Sequence, residues 1–192
     1  LVGAEPELLK KACGKLNDRD FSLLDFNLGC PVPKVVKKGA GAALGKNISR
    51  ALECFSAIAE NSKFPLTAKL RILDEIDPAP TLELCAGLVE RGALALTIHG
   101  RTREHFYTGE VKFPIIRAVR EAFPDIPVIA NGGVNSAATY EQMRRETGCS
   151  RVMLAQGIMG NPWLFRELET GCLPPTLGEW KEMVRFHVTG MI

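Results

Sequence analysis

The run NLGCP at residues 27–31 is the segment of this chain best suited to chemistry. It closes a hydrophobic stretch that begins at Phe21, and the two together predict a strand over residues 21–27 that ends in a turn. Glycine allows the chain to turn sharply, and proline fixes the backbone and lacks an N–H group. The pattern therefore places the Cys30 thiol at the mouth of a sheet or barrel, where it could serve as an acid, a base or a nucleophile.

Basic side chains follow the next two predicted strands. Lys69 and Arg71 lie in the run LTAKLR, where a buried lysine costs free energy unless its amine meets a partner or reaches water. His99 ends the following strand, and Arg101 and Arg103 stand in the loop beyond it, where they could hold a phosphate-bearing substrate. Each of these residues also fits a structural or solvated position, so the pattern alone leaves its role open.

Two glycine-containing loops follow the last two predicted strands. Asn131, Gly132 and Gly133 lie between an apolar strand and a helix, and Ala155 and Gln156 begin a small-residue loop after the next strand. Backbone N–H groups in such turns suit a phosphate, and two adjacent late loops are the usual phosphate site of a barrel. A tight turn between strand and helix would also account for the glycines.

A glycine-rich stretch at residues 39–43 comes soon after Cys30. Four lysines surround it: Lys34, Lys37, Lys38 and Lys46. A mobile basic loop beside the thiol would suit a polyanionic partner. A solvated loop with no partner explains the same pattern.

Strand-like and helix-like segments alternate along the chain and must hold these residues in place. We predict a strand end at 1–3, strands over 21–27, 66–71, 94–99, 127–131 and 151–155, and helices over 6–16, 49–61, 81–91, 114–123, 136–147 and 163–168. Ser49 is predicted to cap the second of these helices. Strands joined by crossover helices imply a parallel sheet of the α/β class.

Two arrangements of such a sheet remain, an eight-stranded (β/α) TIM barrel and a doubly wound open sheet. Chemistry-bearing residues follow nearly every strand, and only in a barrel do all of those loops meet at one mouth. We therefore predict a partial barrel over residues 1–170, with about two further strands expected before Leu1. The run GCLPPT reads as a linker, so residues 171–192 are predicted to be the linker and first helix of a second, helical domain.

The composition is that of an ordinary globular protein, with 46% hydrophobic and 24% charged residues and a net charge of +2. No apolar run approaches the ~20 residues that a membrane span needs. None of the six cysteines forms a CxxC pair, so no metal site is expected. Cys13, Cys54 and Cys85 read as small buried hydrophobes, and a monomer in the reducing cytoplasm is the simplest setting.

Taken together, the motifs resemble the tRNA-dihydrouridine synthase family, and its bacterial branch most closely. The matching runs occur in the family's order: DFNLGCPVPKVVKKGAGAAL, LTAKLR, LTIHGRTREHFYTG, PVIANGG and VMLAQGIMGNPWLF. The resemblance implies an FMN-containing barrel followed by a helical tRNA-binding domain. It also implies that NADPH drives reduction of the uracil C5–C6 double bond in tRNA. In that reaction FMN supplies hydride to C6 and Cys30 protonates C5 from the opposite face, after the base has left the stack.

The resemblance also implies roles for the other candidate residues. Cofactor contacts are expected from Lys69, His99, Asn131, Gly132, Gly133, Ala155 and Gln156, and substrate contacts from Asn27, Arg71, Arg101 and Arg103. Two positions depart from the family pattern. Ala155-Gln156 replaces a Gly-Arg pair whose arginine binds the flavin phosphate, which implies either a lower affinity for FMN or another cation in its place. Gly133 replaces an aspartate but keeps the backbone N–H.

Two other functions fit parts of the same pattern. A dihydroorotate- or dihydropyrimidine-dehydrogenase-like flavoprotein would use FMN, a lysine and a Cys-Pro loop on free pyrimidines. The basic glycine-rich stretch and the HGRTR run favour tRNA over that alternative. A barrel that binds RNA without flavin is the second alternative, suggested by the uncharged Gln156.

Overall fold

A computed structural model describes residues 1–171 and 175–190 of the chain. Its strands are β1 (Leu24–Leu28), β2 (Leu66–Arg71), β3 (Ala93–His99), β4 (Val128–Asn131) and β5 (Arg151–Met153). All neighbouring strands are parallel, and they stand side by side in sequence order from β1 to β5. A doubly wound sheet reverses its strand order at a switch point. The observed order is that of consecutive strands in a (β/α) barrel, as predicted.

Helices follow the strands and cover the sheet. They are α1 (Pro6–Leu16), α2 (Pro33–Val36), α3 (Ala42–Gly45), α4 (Ile48–Ala59), α5 (Ala79–Glu90), α6 (Phe113–Ala122), α7 (Ala137–Thr147), α8 (Leu164–Thr170) and α9 (Leu177–Thr189). A short 3₁₀ turn occupies Gln156–Ile158. None of the helices in the described part of the chain is both long enough and apolar enough to cross a membrane.

The core lies between the sheet and its helices. Phe26 on β1 packs against Phe55 on α4, with ring centroids 6.4 Å apart. Cys13, Cys54 and Cys85 are fully buried, as their small hydrophobic neighbours predicted. Burial raises the pKa of Cys54 to about 11 and that of Cys85 to about 12, so both remain unreactive thiols.

Three boundary predictions need correction. Asn47 caps α4 in place of Ser49, because the Asn47 side chain accepts a hydrogen bond from the Arg50 N–H (3.2 Å) and Ser49 already lies in the first turn. The first strand begins at Leu24 rather than residue 21. The last strand ends at Met153 because the chain turns into the 3₁₀ segment.

Residues 1–3 lie beside β1 but do not form a regular strand. The Asn27 N–H donates to the Leu1 carbonyl (2.8 Å), and the Leu1 amino group donates to the Asp25 carbonyl (2.6 Å). The predicted strand end therefore makes the expected edge contacts over a very short length.

The glycine-rich segment after Cys30 is folded rather than a mobile loop. It connects α2 to α3 and includes the first residues of α3, and Ala40, Gly41 and Leu44 are buried. Lys46 makes an ion pair with Glu104 at 2.6 Å, so it is not a free basic group. The segment packs because small residues allow the backbone to approach the end of β1 closely.

The chain beyond α8 forms one further helix. Gly171 ends α8 in the left-handed region, and Thr176 with Glu179 forms a capping box at the start of α9. Residues 172–174 of the predicted linker and residues 191–192 of the predicted helix lie outside the described residues. The Arg166–Glu179 ion pair (2.9 Å) joins α8 to α9. The division into two domains stays a prediction.

Candidate active site

The carboxyl ends of all five strands open into one cleft of about 600 Å³. The strand register places Arg71 beside His99, His99 beside Asn131, and Asn131 beside Met153. Apart from Arg103, every residue that the sequence predicted for the site lines this cleft: Asn27, Cys30, Lys69, Arg71, His99, Arg101, Asn131, Gly132, Gly133, Ala155 and Gln156. The structure thus brings these residues together, and their individual roles stay predictions.

The turn that carries Cys30 is held by the strand residue before it. The Asn27 side-chain oxygen accepts hydrogen bonds from the N–H groups of Gly29 (3.0 Å) and Cys30 (2.9 Å). An asparagine that binds its own backbone in this way stabilises a tight turn. Asn27 therefore positions the thiol, and only its amide nitrogen is left for the predicted substrate contact.

Gly41 packs directly behind Cys30. Its φ of +60° lies in the region that favours glycine, and an added Cβ would lie 2.6 Å from the Cys30 carbonyl oxygen and 3.0 Å from the Cys30 Cβ. The Ala42 N–H also donates to the Cys30 carbonyl (2.9 Å). Sequence reasoning missed this contact, although the glycine-rich stretch was its visible signal.

Arg71 connects the thiol turn to the loop after β3. Its Nε donates to the Gly29 carbonyl (2.8 Å) and its Nη1 donates to the Thr102 carbonyl (3.0 Å). Its side chain is buried, and burial lowers its pKa, but a guanidinium keeps its charge in a protein. The guanidinium also faces the Tyr107 ring at 5.6 Å, a cleft residue that sequence reasoning did not single out.

Lys69 lies half-buried in the cleft with one polar partner. Its Nζ donates to the Asn131 side-chain oxygen (2.9 Å), and the Asn131 amide nitrogen donates in turn to the Met153 carbonyl (2.9 Å). Burial, followed by the nearby charge of Arg71, lowers the pKa of Lys69 to about 8, and Asp25 acts in the opposite direction. The amine is still mostly protonated near pH 7, and a bound anion would raise its pKa again.

His99 is uncharged in this setting. Burial, followed by the charges of Arg71, Lys69 and Arg101, lowers its pKa to about 3. Its imidazole can therefore act as a neutral hydrogen-bonding group near pH 7, not as a cation. Gly132 leaves room for it, because an added Cβ there would lie 2.8 Å from the His99 ring.

The buried His99 predicts acid sensitivity. Its pKa falls from 6.5 to about 3 on folding, so the unfolded chain binds an extra proton between these pH values. With respect to His99, the free energy of unfolding therefore has its full value above pH 6.5. It falls as the pH drops towards 3, by up to about 1.4 kcal/mol per pH unit. Urea unfolding of the wild type and His99→Gln across this range measures the difference. Equal pH slopes would contradict it.

The two glycine loops form a cluster of free donors. Gly132 and Gly133 have φ values of +127° and +69°. The N–H groups of Gly132, Gly133 and Val134 and those of Gln156 and Gly157 have no hydrogen-bond partner within residues 1–171 and 175–190. Free backbone N–H groups in turns of this kind can bind anions.

The two loops also touch. An added Cβ at Gly157 would clash with the Val134 carbonyl oxygen and lie 2.7 Å from the Asn135 Cα. The small residue is thus needed for the loop after β5 to approach the loop after β4. This close approach puts both sets of N–H groups on one side of the cleft.

Arg103 is the predicted residue that the structure does not bring to the cleft. It lies 3.5 Å from Glu104 in an ion pair. Glu75, in the loop after β2, contacts two residues of the loop that carries Arg103. They are His105 (2.5 Å) and Thr102 (3.3 Å). Sequence reasoning missed this bridge, because its partners are far apart along the chain.

The charge of the cleft is positive. Lys69, Arg71 and Arg101 line it, and no aspartate or glutamate is among its described lining residues. Within the part of the chain that the structure describes, no cluster of three or more His, Cys, Asp or Glu side chains could hold a metal ion. The lining cations therefore suit an anionic ligand.

Comparison with known families decides the identity of the chain. The family model described as dihydrouridine synthase (Dus) matches residues 1–191. The chain belongs to the dihydrouridine synthase family.

Relatives in the family support the same assignment. The chain is 35% identical over 200 residues to the probable tRNA-dihydrouridine synthase of Rickettsia prowazekii, and 34% identical over 199 residues to tRNA-dihydrouridine synthase B of Xanthomonas campestris pv. campestris. Both matches cover 100% of this chain. They cover 60% and 59% of the relatives, so the chain spans about three fifths of their length.

A solved structure shares the fold of this family member. DHODH in complex with ferulenol from Eimeria tenella matches with a TM-score of 0.60 and 12% identity, over 85% of this chain and 53% of that chain. At this identity the likeness concerns the fold alone. Together with the sequential parallel strands it confirms the α/β barrel class.

Proposed function

We propose that this cleft binds FMN and reduces the C5–C6 double bond of a uracil in tRNA, with NADPH as the reductant and Cys30 as the proton donor. One observation carries the proposal. A half-buried thiol and a cluster of free N–H donors lie in a single cleft whose charged side chains are all cations. Membership of the dihydrouridine synthase family supports the same chemistry.

The described residues fit FMN in size and polarity. A cleft of about 600 Å³ falls within the range of ~300–1,000 Å³ common for small-molecule sites. The free N–H groups of Gly132, Gly133 and Gly157 suit the phosphate. Lys69 would face the ring system, where a cation stabilises a reduced, anionic flavin. His99, being neutral, would exchange hydrogen bonds with the cofactor.

FMN, when bound, would supply the reducing electrons and the hydrogen for C6. The residues of the chain would hold the thiol in place and supply the proton. Asn27 and Gly41 hold the turn so that the Cys30 Sγ presents its proton to C5. Arg71 fixes the same turn through the Gly29 carbonyl. Because Cys30 is only half-buried, solvent can return a proton to the thiolate after each turnover.

The tRNA partner is the second part of the proposal. Lys34, Lys37 and Lys38 are exposed on and after α2, next to the thiol turn, where they suit a phosphate backbone. We assign residues 1–170 to the catalytic barrel and residues 171–192 to the linker and first helix of a helical tRNA-binding domain. The free thiols of the described residues suit the reducing cytoplasm, where we place the reaction.

Lys69 predicts how FMN binding depends on pH. Its pKa in the free protein is about 8, and a bound anion raises it, so binding takes up a proton above that pH. We expect FMN affinity to fall as pH rises above about 8, by up to about tenfold per pH unit. Fluorescence titrations of the wild type and Lys69→Met measure this dependence. An equally steep fall in Lys69→Met would assign it to another group.

Deletion of the gene tests the function as a whole. We expect dihydrouridine to disappear from at least one tRNA position and to return when the wild-type gene is restored. An unchanged tRNA map together with a defect in free-pyrimidine metabolism would favour the dihydroorotate- or dihydropyrimidine-dehydrogenase-like alternative. A colourless purified protein that still binds tRNA would instead favour the barrel without flavin.

A further inference from the structure

We propose that Arg101, from the loop after β3, supplies the positive charge that holds the cofactor phosphate against the two glycine loops. The inference rests on the proposed binding of FMN and identifies the cation of its phosphate site. The loop after β5 offers only Gln156 at the position where it meets this site. A positive charge for the phosphate would therefore come from elsewhere in the cleft.

The position of Arg101 fits this role. An added Cβ at Gly133 would lie 3.4 Å from the Arg101 Nη2, so the guanidinium stands directly over the loop that carries the free N–H groups. Val111 Cγ2 lies 3.3 Å from the same added Cβ, so Arg101 and Val111 together border the loop on this side. A phosphate bound in the cleft to the free N–H groups would therefore lie beside a cation.

The hydrogen bonding of Arg101 also leaves its terminal nitrogens free to bind a ligand. Its Nε donates to the Gly109 carbonyl (3.0 Å), which holds the side chain in place. Its two terminal nitrogens have no hydrogen bond or ion pair within the described residues. Two free N–H-bearing nitrogens in a fixed plane match two oxygens of a phosphate.

The other cations of the cleft already donate hydrogen bonds within the protein. Lys69 donates to Asn131, and Arg71 is buried and donates to the carbonyls of Gly29 and Thr102, on the side of the thiol. Neither is in contact with Gly133. Among the described lining residues, Arg101 is thus the cation placed beside the glycine loops.

Paired titrations with FMN and riboflavin test the inference, because riboflavin has the same ring system without the phosphate. We expect Arg101→Gln to weaken FMN binding about 10- to 100-fold, the loss of one charge-assisted contact. Riboflavin affinity is expected to stay within about twofold, which also shows that the ring site is still folded. Arg120→Gln, which removes an exposed charge from α6, is the control and should bind both flavins as the wild type does.

The outcomes separate this inference from the proposed function. Wild-type FMN affinity in Arg101→Gln would overturn the role of Arg101 while leaving the flavin site standing. Equal losses for FMN and riboflavin would also overturn it, because the residue would then support the loop rather than the phosphate. A wild-type protein that binds neither flavin would overturn the proposed function and this inference with it.

Discussion

Replacing Cys30 with alanine is expected to leave FMN bound and to slow dihydrouridine formation on tRNA by about 100- to 10,000-fold, the usual contribution of a positioned general acid. The thiol side chain makes no hydrogen bond within the described residues, so its removal should not disturb the cleft. Flavin absorbance and single-turnover product formation measure the two effects separately.

Cys149→Ala is the matched control for this experiment. Cys149 is a buried thiol outside the cleft, so its loss can lower stability but should not change the rate of the chemical step. Product formation by Cys30→Ala at the wild-type rate would overturn the proton-donor role. Loss of bound FMN in Cys30→Ala would show that the residue acts through the cofactor instead.

Gly41→Ala is expected to lower the rate nearly as much without touching the thiol itself. An added methyl group would lie 2.6 Å from the Cys30 carbonyl oxygen, so the thiol turn must move. A displacement of about 1 Å at a reacting group can cost about 100-fold in rate. Single-turnover product formation, with flavin absorbance recorded alongside, measures the loss.

Gly39→Ala is the control for a positive φ without the contact. Gly39 has a φ of +70°, close to the +60° of Gly41, but the one atom near its added Cβ is 3.8 Å away, on Ala4. Gly39→Ala should destabilise the fold by about 1–2 kcal/mol through its positive φ. Gly41→Ala should destabilise it more, because a ψ of −128° takes Gly41 outside the left-handed helical region and an added Cβ meets the Cys30 carbonyl. We expect only Gly41→Ala to lose the catalytic rate, and equal rates in the two variants would contradict the positioning role.

Local patterns were sufficient to predict most of the elements that carry the site. The strand Leu66–Arg71 agrees with its predicted bounds, because apolar and polar residues alternate along it and turn residues flank it. The helix Ala137–Thr147 is marked at both ends, by the Ser136 cap and by Gly148 in the left-handed region. Residues that directly follow strands could therefore be assigned to one mouth before the fold was seen.

Contacts between distant segments could not be predicted in the same way. The approach of Gly41 to Cys30 and the bonds of Arg71 to Gly29 and Thr102 depend on how loops pack after the sheet forms. The partner of Lys69 was open for the same reason, because Asn131 stands two strands away and is aligned with His99 rather than with Lys69. The cap of α4 was misplaced because Asn47 and Ser49 are both good capping residues two positions apart.

One single-turnover measurement tests the central claim most directly. The flavin of the purified protein is reduced with NADPH, an unmodified tRNA transcript is added without oxygen, and flavin oxidation and dihydrouridine are followed together. We expect the yellow colour to return as the transcript gains one dihydrouridine for each flavin oxidised. A flavin that stays reduced while every uridine remains unchanged would contradict the proposal that this cleft reduces uracil in tRNA.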